Sequence, residues 1–275
     1  MALAVAALGT AVFAAPDNPP AAAPGEVGQS FQPPNATSDD EPPVRTHSPR
    51  VVPNAHPNLP PAYGPTPSKV HVIVFSDFQC PVCRRVTAAT AQIAEEWPGE
   101  VRVEFRQLPL TIHHNAENAA AASLAAHRQG QFWAMHDLLF ANQSALDTES
   151  LHAYARQLGL DMKRFEKDYA DPALRRRIRK EAALADRLSA TSTPSFLING
   201  KLHVGWGSWN GFRSYVEQEL KAANELLATG TKLGDVHALR ARAAIQDDAA
   251  FDAYKADVIE PLVKAKHTST ARRGD

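Results

Sequence analysis

Cysteine is almost absent from this chain. Its 275 residues hold two, Cys80 and Cys83. Two cysteines exclude a disulfide-stapled scaffold. With no second Cys pair and no paired-His motif, they also exclude a finger-type zinc site, which takes four ligands, so no metal is expected. A surplus of charge is missing as well: Lys and Arg total 29 against 30 Asp and Glu, a net charge of −1. That balance argues against a nucleic-acid partner. The first positive side chain is Arg45, so the N-terminus has no basic region. The apolar run Ala2 to Ala15 is too short for a membrane helix. With the small residues around Val12-Phe13-Ala14 as a cleavage site, residues 1–15 read as a secretory signal or apolar leader. The expected location is periplasmic or otherwise extracytoplasmic, in a bacterial envelope, with no integral membrane span in the mature chain. No cysteine follows the run, which excludes a lipoprotein anchor.

Proline is concentrated instead of scarce: 15 of the 21 prolines lie from Pro16 to Pro67. A segment so poor in large apolar residues cannot bury enough surface to fold, so residues 16–67 read as a disordered linker. Beyond it, the 44% hydrophobic content is ample for a core.

The two cysteines sit where a strand hands over to a helix. Val70, Val72, Ile73, Val74 and Phe75 form an apolar, β-branched run, the pattern of a strand buried on both faces. Cys80-Pro81-Val82-Cys83 follows, and then Val86, Ala89, Ile93 and Trp97 mark a helix packed along one face. Unpaired N–H groups and the positive end of the dipole at a helix N-terminus favour a thiolate at Cys80. Pro81 suits the first helical position. One turn on, Cys83 can close a small disulfide ring. This makes Cys80 the exposed, attacking sulfur and Cys83 the buried, resolving one. Arg84 and Arg85 in the first turn oppose the dipole, and a nearby thiolate would give at least one of them an anionic partner. A structural staple is the competing reading, but so short a loop stabilises little.

Val101 to Gln107 alternates apolar and charged residues as a strand does, completing a βαβ unit. Helical periodicity then runs through Ala116–Arg128, Gln131–Asn142, Thr148–Leu158, Asp161–Tyr169 and Pro172–Ser189. His113-His114 before these helices reads as a loop or cap. The basic cluster Arg175, Arg176, Arg177, Arg179 and Lys180 reads as a solvated face. Ser195–Ile198 and Lys201–Trp206 flank Asn199-Gly200, a strong hairpin signal. Ser208 caps a helix bearing Trp209, Phe212, Val216 and Leu220. Two further helical patterns, Gly234–Ile245 and Ala249–Ala265, precede a polar tail.

Four pieces, in order, carry a resemblance: Phe75-Ser-Asp-Phe-Gln-Cys-Pro-Val-Cys83, Gly130-Gln-Phe-Trp-Ala-Met-His-Asp137, Leu158-Gly-Leu-Asp161 and Thr193-Pro-Ser-Phe-Leu-Ile-Asn-Gly200. The chain resembles the DsbA-like class of thioredoxin-fold thiol–disulfide oxidoreductases. The resemblance implies an α/β, thioredoxin-like fold over 68–226. A multi-helix insertion of about 108–190 would lie between the βαβ unit and the hairpin, and residues 227–275 would form a helical extension and polar tail. It implies a cis Pro194 beside the cysteines, and a Thr193 backbone that pairs with extended substrate. The redox-active disulfide Cys80–Cys83 would be the only cofactor. The partners would be cysteine-containing exported proteins and an unidentified redox partner that recharges the disulfide. Two departures stand out. Val74 takes the place of the class's buried carboxylate, so the proton of Cys83 would need water or another acid. Asp77, on the opposite strand parity, is at most a weak tuner, with Arg84 and Arg85. The dipeptide Pro81-Val82 lacks a thiolate-stabilising His, which would make the disulfide less oxidising than in the strongest oxidants. An oxidant is the expected activity. An isomerase or reductase with the same site, and a non-catalytic peptide-binding chaperone module, are the alternatives.

Overall fold

The structure, a computed structural model, describes residues 53–54 and 59–264. The expected leader at 1–15 lies outside the described residues, as does most of the Pro-rich segment. Among the described residues, six strands form one sheet: β1 (Pro53–Asn54), β2 (Ala62–Tyr63), β3 (Val70–Ser76), β4 (Val101–Gln107), β5 (Ser195–Ile198) and β6 (Lys201–Val204). Their order is β1-β2-β4-β3-β5-β6. Strand β3 is central and buried along its whole length, as its unbroken apolar run predicts. It pairs parallel with β4 and antiparallel with β5. Helix α1 (Pro81–Glu96) makes the crossover from β3 to β4.

Five helices of the insertion follow β4: α2 (Ala116–His127), α3 (Phe132–Ala141), α4 (Thr148–Gln157), α5 (Met162–Tyr169) and α6 (Pro172–Arg187). Aspartates at 147, 161 and 171 cap α4, α5 and α6 by accepting from backbone N–H groups of the first turn, each worth about 1 kcal/mol. Asn199 and Gly200 turn the β5–β6 hairpin at φ 48° and 86°, the left-handed backbone that this dipeptide tolerates best. Ser208 caps α7 (Trp209–Ala228), and α8 (Leu233–Ala244) and α9 (Asp248–Tyr254) follow. From Tyr254 the helix continues through a π turn, Lys255–Ile259, to residue 264.

The boundary expected at residue 68 is set too late. Leu59, Ala62 and Tyr63 are buried, β2 pairs with β4, and the Tyr63 ring stacks on Trp133 at 3.7 Å. A two-residue strand between prolines has no periodicity to read, so the composition of its surroundings masks it. The C-terminal segment is likewise built into the fold. Val101, Val103 and Phe105 of β4 join the core on the α1 side. On the other face, Ile73, Phe75 and Leu197 pack with Ala241, Ile245, Tyr254 and Val258. The charged face of β4 is therefore buried too. Arg106 Nε donates to Glu104 at 2.7 Å, and its guanidinium reaches the Asp257 carbonyl at 3.0 Å. The basic cluster on α6 is partly tied down: Arg177 donates to Glu181, and Arg175 to Glu117 and Asn118.

Candidate active site

Strand β3 ends at Ser76, and the chain turns through Asp77, Phe78 and Gln79 into α1. The Asp77 carboxylate is buried and holds that turn. It accepts from the backbone N–H groups of Gln79 at 2.7 Å and Leu110 at 2.8 Å, and pairs with His113 Nδ1 at 2.8 Å. The side-chain amide of Gln143, from the α3–α4 loop, donates to the carbonyls of Phe78 and Cys80 at 2.8 and 2.9 Å. The Asp77 carboxylate thus acts on the loop, while its backbone N–H acts on Cys83. The loop role expected for His113 is what the structure shows.

Cys80 takes the N-cap position with Pro81 at N1. The Thr193–Pro194 peptide bond is cis, and Cys80 Sγ lies 3.5 Å from the Thr193 carbonyl oxygen. The structure therefore brings together Cys80, Cys83, Thr193 and Pro194, as the resemblance implied.

The two thiols are driven apart. A hydrogen bond from Cys83 does most to lower Cys80, to about 5; burial opposes it, and Thr193 and the N–H groups of Cys83 and Val82 add to it. Burial pushes Cys83 far up, and its bond to Cys80 pushes it further, with partial relief from the Ser76 hydroxyl. The two cysteines are described in the dithiol form. The arrangement supports a thiolate on Cys80 and a thiol on Cys83 at neutral pH.

Two expectations are corrected. Cys80 is not broadly exposed: it keeps 6% of its surface and Cys83 none, because the Thr193–Pro194 loop folds over it. Arg84 and Arg85 are exposed, and neither is among the groups that stabilise Cys80. The N–H groups of the first turn and the Cys83 thiol do that work in their place.

Val74 does occupy the wall beside Cys83. There a cavity of about 10 Å³ is bounded by Val74, Ser76, Cys83, Thr90 and His136, among others, enough for about one water molecule. Sequence reasoning missed Ser76 and Gln143. Ser76 shares strand parity with Val74, which was a usable signal; nothing local points to Gln143.

A family model described as thioredoxin matches residues 58–218. A thioredoxin-like oxidoreductase from Silicibacter pomeroyi DSS-3 is 30% identical, with a TM-score of 0.54 over 59% of this chain and 92% of that one. The thiol-disulfide exchange protein alpha-DsbA2 from Wolbachia pipientis shares the fold at 23% identity and TM-score 0.53, over 58% of this chain and 86% of that one. Among curated relatives, the Na(+)/H(+) antiporter NhaA 3 of Salinispora tropica is 41% identical over 143 residues, 52% of this chain and 22% of its own length. The Na(+)/H(+) antiporter NhaA 1 of Salinispora arenicola is 38% identical over 171 residues, 62% of this chain and 25% of its own. The chain thus spans a quarter or less of these two relatives. Among the described residues, no helix is long and apolar enough to cross a membrane.

Proposed function

The chain belongs to the thioredoxin family, and on that premise we propose that it is a DsbA-like thiol–disulfide oxidoreductase acting as an oxidant of exported proteins outside the cytoplasm. The observation that carries this reading is the split between the two thiols, Cys80 lowered to about 5 and Cys83 raised. A stabilised thiolate favours the reduced dithiol, and so makes the disulfide a stronger electron acceptor.

A substrate thiolate attacks Cys80 Sγ of the Cys80–Cys83 disulfide. The S–S bond breaks, its electron pair leaves on Cys83 Sγ, and Cys83 takes up a proton. A second substrate thiolate then attacks the substrate sulfur of the mixed disulfide and expels Cys80 as a thiolate. The substrate loses two electrons and gains a disulfide; the protein holds the dithiol until a redox partner reoxidises it. Thr193 supplies a backbone edge beside Cys80 for an extended substrate. Val82 and Pro81 start the helix whose N–H groups hold the thiolate.

Trapping tests the assignment. Cys83→Ala should accumulate mixed disulfides with exported proteins and Cys80→Ala should not; equal trapping by both would defeat it. An isomerase or reductase would use the same atoms, and the reduction potential separates these directions. A chaperone module would keep full activity in the Cys80→Ala, Cys83→Ala double variant.

A further inference from the structure

At the opposite end of β3 from the cysteines, about 17 Å along the strand, a second cavity opens between the sheet and the C-terminal helices. Its volume is about 200 Å³, and its wall includes His71, Arg102, His237, Ala238, Ile259 and Leu262. Parallel register sets His71 beside Arg102 on the same face. Arg102 is 1% exposed, and none of its three guanidinium nitrogens has a hydrogen-bond partner among the described residues.

The neighbouring charges do not satisfy it. Glu104 binds Arg106 through Oε1 at 2.7 Å and turns its Oε2 toward Arg102 at 3.6 Å. At 3.6 Å a contact is ionic, not a hydrogen bond. His237 is occupied by the Tyr254 hydroxyl at 2.7 Å. Asp235, the acid on the cavity wall, is solvent-exposed, where water screens it. A buried guanidinium whose N–H groups make no hydrogen bond is costly, and its planar fork matches a carboxylate. The remaining wall includes Thr66 and Ser68, with Ala238, Ile259, Leu262 and Val263 as its apolar part. The cavity is smaller than the roughly 300–1,000 Å³ of drug-sized sites, which limits the occupant to a few carbons.

We propose that Arg102 and the cavity around it form a binding site for a small monocarboxylate with a short apolar chain, its carboxylate on the guanidinium and its tail against Ile259, Leu262 and Ala238. The site is independent of the redox reading, since it shares no residue with the cysteine pair.

Calorimetric titration of the full chain, in its oxidised form, with butyrate, hexanoate, hexanol and inorganic phosphate tests this. Affinity should rise about fourfold per added methylene until the cavity fills. Hexanoate should bind at least about tenfold more tightly than hexanol, which lacks the charge. Arg102→Met should lose that advantage while thiol–disulfide exchange is unchanged. Should that variant fail to fold, Ala238→Leu, which fills the cavity from α8, should weaken hexanoate about tenfold instead. Equal binding of hexanol, tighter binding of phosphate than of hexanoate, retained hexanoate binding in the variants, or no binding of any probe would each overturn the proposal.

Discussion

Cys80 Sγ and the carbonyl oxygen of Thr193 lie 3.5 Å apart although 113 positions separate them in the chain. The contact exists because β3 and β5 are antiparallel neighbours in the sheet. One strand ends at the cysteine turn, and the other begins just after the cis proline. A substrate peptide lying along Thr193 is thereby delivered to the sulfur. This geometry compensates for the narrow opening above Cys80, since a thiolate needs only one line of approach.

The first prediction concerns the charge on that sulfur. Absorbance at 240 nm of the reduced protein should titrate with a midpoint near 5, the value to which Cys80 is lowered. Cys83 is the largest cause of the lowering, ahead of Thr193 and the helix N–H groups. Cys83→Ala should therefore raise the midpoint by more than one pH unit, while Arg84→Ala should leave it in place. A midpoint above 8 in the reduced protein would remove the basis for an attacking thiolate.

The second prediction is the reduction potential. Thiolates with pKa values of about 7 and about 3.5 belong to dithiols at about −270 and about −120 mV respectively. A Cys80 near 5 should place this pair between them. Equilibration with glutathione, read by alkylation, measures it. A potential below about −270 mV would assign the protein to reduction.

Strands β3 and β4 and helix α1 were legible in the residues because each carries its own period, apolar throughout, alternating, or stepped by three and four. So was the cysteine pair, whose strand-to-helix setting is local. Strand β2 was not legible, because two residues give no period and Tyr63 gains its burial from Trp133 on α3. The alternation in β4 predicted a strand with one polar face. It could not show that α9 and its continuation bury that face, since Arg106 finds the Asp257 carbonyl only in the folded chain. Arg84 and Arg85 misled for the converse reason: nearness to Cys80 in sequence does not put them among the leading causes of its lowered pKa.

Asp77 gives the third prediction. Its carboxylate satisfies two backbone donors and His113 from a buried position. Asp77→Ala leaves those donors unmet, at a cost of about 2–4 kcal/mol. Urea midpoints should fall accordingly. Because the Asp77 carboxylate is bonded to the turn and only its backbone N–H reaches Cys83, a group that the substitution keeps, the thiolate midpoint should move far less than in Cys83→Ala. A large shift of that midpoint with unchanged stability would give Asp77 the tuning role instead.

The fourth prediction follows from histidines held neutral by burial. Burial lowers His71 and His237, with Glu104 opposing in each case. Burial and then Lys201 lower His203 to about 4. In the unfolded chain each takes up a proton near pH 6.5, so below that pH the unfolded state binds protons that the native state does not. Stability therefore rises with pH up to about 6.5 and is lost as pH falls below it. With two to three such groups, the slope between pH 5 and 6 is about 3–4 kcal/mol per pH unit. Urea unfolding of the oxidised protein isolates this term, because no thiol titrates. His237→Leu should reduce the slope by about one proton even though it strands the Tyr254 hydroxyl, which affects stability at all pH values alike. A slope unchanged by His237→Leu would mean that this imidazole is protonated within the fold, and the back face of the sheet would then carry a further buried positive charge beside Arg102.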